Sequence, residues 1–102
     1  MRVIAKPILT RFLAAEPRAT GAVMRWYRDA TAAVWSSHHE VKAYAASVSI
    51  IDDERVVFNF GGNKYRLVVA MVYRSQVVYI KFIGTHRQYD AVDVANVEPE
   101  FP

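Results

Sequence analysis

The chain has no cysteine among its 102 residues. Disulfide frameworks and cysteine-based zinc sites are therefore excluded, and the absence is compatible with a reducing cytosol. Neither a secretion signal nor a membrane span is legible: the opening MRVIAKPILTRF is too short and too interrupted by charge. There is no P-loop, no nucleotide-fold glycine fingerprint and no nucleophile elbow; Gly61-Gly62 alone reads as a turn, not a phosphate cradle. Internal repeats and low-complexity segments are missing as well. A last absence is local. From Arg55 to Tyr89 there is no Asp or Glu, while Arg55, Lys64, Arg66, Arg74, Lys81 and Arg87 all fall there.

What is present bounds the answer. An apolar content of 53% argues against disorder. The length fits one domain, residues 1–102, with a single core, and the expectation is a soluble, cytoplasmic protein. The net charge of +3 hides an asymmetry. Residues 1–89 hold all 13 Lys/Arg against six acids, a formal +7, and the last 13 residues carry −4. A basic body favours phosphates, because each neutralised phosphate releases counterions.

The stretch RVVFNFGGNKYRLVVAMVYRSQVVYIKFIGTHRQYD, residues 55–90, has three apolar runs separated by Gly-Gly-Asn and Arg-Ser-Gln breaks. That pattern predicts a three-stranded antiparallel meander. Ahead of it, Arg2–Ala5 predicts a short edge strand. Pro7 opens a helix whose Ile8, Leu9, Phe12 and Leu13 share a face, and Glu16-Pro17 ends it. Residues 17–36 predict a second helix, with Val23, Trp26, Tyr27, Ala30 and Val34 on its stripe. Ser36-Ser37-His38-His39 reads as a helix end and exposed loop. The His pair has no further ligands at fixed spacing, so no metal site and no cofactor are expected. Glu40–Ala46 predicts a helical turn, and Ile50–Glu54 a turn into the meander.

The second strand alternates Lys64, Arg66, Val68, Ala70 and Val72 on one face with bulkier Tyr65, Leu67, Val69, Met71 and Tyr73 on the other. The bulkier face should meet the helices. A two-residue Arg74-Ser75 loop would place Arg66 opposite Ile83, Val68 opposite Lys81 and Lys64 opposite Thr85. Lys64, Arg66 and Lys81 would then share the face away from the helices with Val57 and Asn59. Thr85 caps a short C-terminal helix that sets His86, Tyr89 and Asp90 on one side. Asn96–Pro102 forms an acidic tail, passive, folded over the basic face or bound to a basic partner segment. The fold class is α+β: two N-terminal helices packed on a three- to four-stranded antiparallel sheet, with a short C-terminal helix.

Cleaving RNA with its own 2′-hydroxyl needs a base, cations on the phosphate and an acid for the leaving 5′-oxygen. Lys and Arg fill the second role. His or Tyr fills the first or third. The same residues are equally a solvated basic face with a structural His.

The strings VFNFGGNKYRLVVAMVY and VYIKFIGTHRQYD resemble the HigB family of bacterial toxins, in the RelE-like superfamily. The resemblance runs from Glu40 to Asp90 and more loosely through the N-terminal helices. It implies a small endoribonuclease, an mRNA interferase, that inhibits translation by cutting mRNA in the decoding site of the small ribosomal subunit. It also implies a helix-turn-helix antitoxin of the HigA type as partner, with the complex often repressing its own operon. The motif positions are Asn63, Lys64, Tyr65, Arg66, His86, Tyr89 and Asp90. On this resemblance Arg66 takes transition-state charge, and Lys64 with Lys81 positions phosphate. His86 or Tyr89 transfers protons, and Asp90 orients His86 or caps the helix. Asn59, Asn63 and Arg87 join them as RNA-binding residues, while Tyr65 alternates toward the core. A ribosome binder that does not cut, and a gyrase-directed toxin of a sister branch, are the alternative readings.

Overall fold

A computed structural model describes residues 1–100. The element order is β1 (Arg2–Ile4), α1 (Lys6–Ala15), a 3₁₀ turn (Pro17–Ala19), α2 (Thr20–Ala32), α3 (His38–Tyr44), β2 (Ser49–Ile50), β3 (Arg55–Phe60), β4 (Tyr65–Val72), a 3₁₀ turn (Tyr73–Ser75), β5 (Val77–Thr85) and α4 (His86–Asp90). The fold is α+β, as the sequence predicts. The sheet is larger than expected: five strands in the order β1-β5-β4-β3-β2. It is also mixed, because β1 runs parallel to β5, pairing Arg2 with Val77 and Ile4 with Tyr79.

The helices cover one sheet face. Leu9, Val23, Trp26, Ala30 and Val41 meet Val56, Phe58, Leu67, Val69, Met71, Val78 and Ile80 in one buried cluster. Tyr65 belongs to it, edge-on to Phe12 with ring centroids 5.9 Å apart. The bulkier face of β4 is thus the core face. No helix among the described residues is long and apolar enough to cross a membrane.

Two helical expectations are corrected. The second helix stops at Ala32, so Val34 lies beyond the stripe assigned to it and is 81% exposed. The N-terminal ammonium donates to Ala30 O at 2.8 Å and also to Ala33 O, supplying part of the cap at the end of α2. His38 and His39 are not loop residues. Ser37 accepts from Glu40 N as an N-cap, and the two histidines open α3. His38 is held by the Tyr73 hydroxyl and, through Nε2, by Asp52 O at 2.9 Å.

The hairpins also differ in detail. The β4–β5 loop is Tyr73–Gln76, closed by pairing Val72 with Val77, with Gln76 at φ +56°. The expected register holds from Val72↔Val77 to Val69↔Ile80. A bulge at Lys81 then shifts it by one, so Val68 faces Phe82 and Arg66 faces Gly84 rather than Ile83. The extra residue leaves Lys81 and Phe82 on the same side of β5. Lys64 faces no strand residue; it ends the Gly61–Lys64 turn, and Tyr65 pairs with Thr85.

The second face is not open along its length. Val57 and Val68 are fully buried there, and Arg55, the first cation of the acid-free stretch, is 8% exposed. The segment after α4 returns across this face. Arg55 Nη1 donates to Val94 O at 3.0 Å and Val97 O at 2.7 Å, and Nη2 pairs with Glu98. Lys81 Nζ lies 2.7 Å from the other Glu98 oxygen. These contacts, with half-buried Val92, Val94 and Val97, convert the expected tail into a clasp. Residues 101–102 of that tail lie outside the described residues.

Candidate RNA-cleavage site

The uncovered end of the second face is where the motif residues meet. Across the sheet, Asn59, Arg66 and Gly84 form one row of paired positions. Gly84 leaves that row without a side chain on β5, and α4 begins two residues later. A Cβ on Gly84 would sit 2.6 Å from Phe82 Cζ and 2.9 Å from Gln88 Oε1. Gln88 belongs to a capping box: Thr85 Oγ1 accepts from Gln88 N at 3.2 Å, and Gln88 Oε1 accepts from Thr85 N at 2.8 Å. Gly84→Ala is therefore expected to displace Gln88 from Thr85, at about 1 kcal/mol. Because the same cap is lost in Gln88→Ala, the double variant should melt close to the more damaged single variant. Fully additive shifts in thermal denaturation would show that the clash falls elsewhere.

The first amide of α4 is also tied to the hairpin: His86 N donates to Lys64 O at 2.8 Å. The β3–β4 turn reaches that point through Gly61, Gly62 and Asn63, at φ +60°, +62° and +74°. Such a run suits glycine and asparagine. The helix and the turn thus hold each other in register, which brings the two halves of the motif together.

Within this frame, Arg66 Cζ lies 5.1 Å from the centre of the Tyr89 ring, a cation–π distance. Arg66 is half-buried, and its Nε is buried without a hydrogen-bond partner among the described residues. His86 Nδ1 lies 3.1 Å from Asp90 Oδ2, one helical turn on, with the His86 side chain 55% exposed. That contact directs Nδ1–H to Asp90 and leaves Nε2 as the nitrogen available for proton transfer. Lys64 and Asn63 are exposed on the turn, and Arg87 is exposed on α4.

Two expected RNA-binding residues are placed differently. Lys81 is on the predicted face but is engaged by Glu98, three residues down β5 from Gly84, roughly 10 Å. Glu98 is held below the ordinary carboxylate range, first by its hydrogen bond to Lys81 and further by the charges of Lys81 and Arg55. Asn59 donates to Ser47 O at 2.7 Å and leaves Oδ1 buried and without a partner among the described residues. Sequence reasoning missed Gly84 and Gln88. The signals were there: a lone glycine inside a strand marks a close approach, and Thr-x-x-Gln is a capping box.

A helical layer thus covers one face of the sheet, and a cation, a histidine and a tyrosine lie where a short helix meets the hairpin. The family described as HigB_toxin, the RelE-like toxic component of a toxin-antitoxin system, matches residues 19–92, and the chain belongs to that family. Among curated relatives, the mRNA interferase toxin HigB of Escherichia coli and the mRNA interferase HigB of Shigella flexneri are each 45% identical to it over 38 residues. That stretch is 37% of this chain and 36% of each relative, so the match spans little more than a third of their length.

Proposed function

We propose that this toxin is an endoribonuclease that cuts mRNA on the ribosome, in the decoding site, and so inhibits translation. The observation that carries the reading is the cluster itself: Arg66 over Tyr89, with His86 oriented by Asp90 and docked on Lys64. In the proposed step, His86 Nε2 takes the proton of a ribose 2′-hydroxyl. The 2′-oxygen forms a bond to the adjacent phosphorus, and the bond from phosphorus to the 5′-oxygen breaks. Tyr89 gives its phenolic proton to the departing 5′-oxygen. Arg66 and Lys64 face the charge that builds on the phosphate, the role of preorganised cations in such transition states. The products are a 2′,3′-cyclic phosphate and a 5′-hydroxyl. Asn59, Asn63 and Arg87 border the site and bind the flanking RNA. Lys81 joins them only where Glu98 releases it.

The relatives' designation as mRNA interferases supports this reading, and its substrate places the protein in the cytoplasm. A helix-turn-helix antitoxin of the HigA type is the proposed partner. The deciding experiment is a purified translation reaction on a defined mRNA, read by primer extension. Cuts within codons that vanish when ribosomes are omitted are the expected result. Intact mRNA with stalled synthesis would replace cleavage with binding alone, and intact mRNA with normal synthesis would redirect attention to gyrase.

A further inference from the structure

On the far side of the β3–β4 turn lies a groove of about 500 Å³, bounded by the α1–α2 junction and the hairpin tip. Its size falls within the roughly 300 to 1,000 Å³ common for ligand sites. Two cations border it, Arg18 on the 3₁₀ turn and Lys64 on the hairpin. Both are exposed, and neither has an ion-pair partner among the described residues. Buried Tyr65 lines it, and Gly61 lies close enough that a Cβ there would meet the Tyr65 ring at 3.4 Å. One carboxylate, Glu16, shares the wall.

Lys64 connects this groove to the cleavage site. Its carbonyl accepts the first amide of α4, while its side chain borders the groove. Lys64 thus borders both the cleavage cluster and the groove, so a strand that left the sheet past Lys64 would meet Arg18 in the same groove. We infer that this groove is a second phosphate-binding subsite for single-stranded RNA, with Arg18 as its outer cation and Glu16 as a repulsive element that limits affinity. The inference rests on the proposed reading of the sheet end as the RNA site. A regularly spaced polyanion is favoured over an acidic peptide because the groove continues from that site.

The test uses a fluorescein-labelled 2′-O-methyl oligoribonucleotide, which lacks the attacking hydroxyl, titrated by anisotropy over a range of salt. Arg18→Ala should weaken binding and reduce the slope of log affinity against log salt by about 0.7, the loss of one single-strand phosphate contact. Glu16→Gln should bind more tightly. Arg74→Ala, an exposed cation at the opposite end of β4, should match the wild type, as should the melting temperature of Arg18→Ala. An Arg18→Ala slope equal to the wild-type slope overturns the subsite. So does loss of binding to a polyglutamate peptide with RNA binding unchanged, which would make the groove a site for acidic protein. No binding by the wild type at low salt overturns the inference too, while primer extension decides the activity reading separately.

Discussion

On the proposed reading, alanine at Arg66 is expected to lower single-turnover cleavage of ribosome-bound mRNA by about a hundred- to a thousand-fold, the usual cost of removing one preorganised transition-state donor. Lysine at this position restores little. The guanidinium offers a planar fork to two phosphate oxygens and stacks on Tyr89, whereas an ammonium is a compact point charge. Alanine at His86, the proposed general base, is expected to cost about a hundred- to ten-thousand-fold. Asp90→Asn leaves the imidazole in place without its orienting charge, so its effect should be smaller. Both large losses must come without loss of folding: Arg66 is half-buried on the uncovered end of the sheet, and His86 is mostly exposed. The readout is the rate of appearance of 2′,3′-cyclic phosphate ends. Wild-type rates for Arg66→Ala or His86→Ala would remove the cluster as the catalytic site.

Methionine at Arg55 destabilises the fold by about 3 kcal/mol, because it strips partners from two backbone carbonyls and a carboxylate at once. For a domain of this length that lowers the melting temperature by roughly 10 to 20 °C. The same variant should become sensitive to limited proteolysis near Val94–Glu98, since the clasp over Val57 and Val68 has lost its anchor. Glu98→Gln should do much less, because Glu98 is 58% exposed and exposed ion pairs contribute little. It should, however, change the acid side of the stability profile. Glu98 is held below the ordinary carboxylate range, so its contribution is present above that range and is lost as pH falls through its folded value. Wild type and Glu98→Gln should therefore converge at acid pH. A melting shift under about 3 °C for Arg55→Met would show that the clasp is held by apolar contact alone.

Much of this architecture was readable from residue order. Period-two alternation located the meander, put Tyr65 in the core, and put Asn59, Arg66 and Lys81 on the opposite face. The helical spacing of His86, Tyr89 and Asp90 anticipated their grouping on α4. The failures have physical causes. A bulge leaves no mark in alternation until the register has already slipped, so the partners of Arg66 and Val68 were misplaced by one. Val34 fits a helical stripe, yet α2 ends before it. Charge patterning left the acidic tail either passive or folded over the basic face, and Glu98, which takes both Arg55 and Lys81, decides for the second. One-dimensional charge patterning cannot register a pair 43 residues apart. The groove beside Arg18 was invisible for the same reason, since its walls come from separate parts of the chain.

The parallel pairing of β1 with β5 orders the assembly of the sheet in time. Strands β3, β4 and β5 follow one another through short turns, and closing such short loops costs little entropy. Strand β1 must instead close the interval from Arg2 to Val77, 75 positions, for three paired residues. Little rewards that closure until β5 already lies beside β4. Loop-closure entropy therefore favours formation of the meander that carries Arg66 before β1 docks on β5. The part of this toxin that carries Arg66 is thus held by near neighbours in sequence, whereas the edge made by β1 depends on a pairing that spans most of the chain.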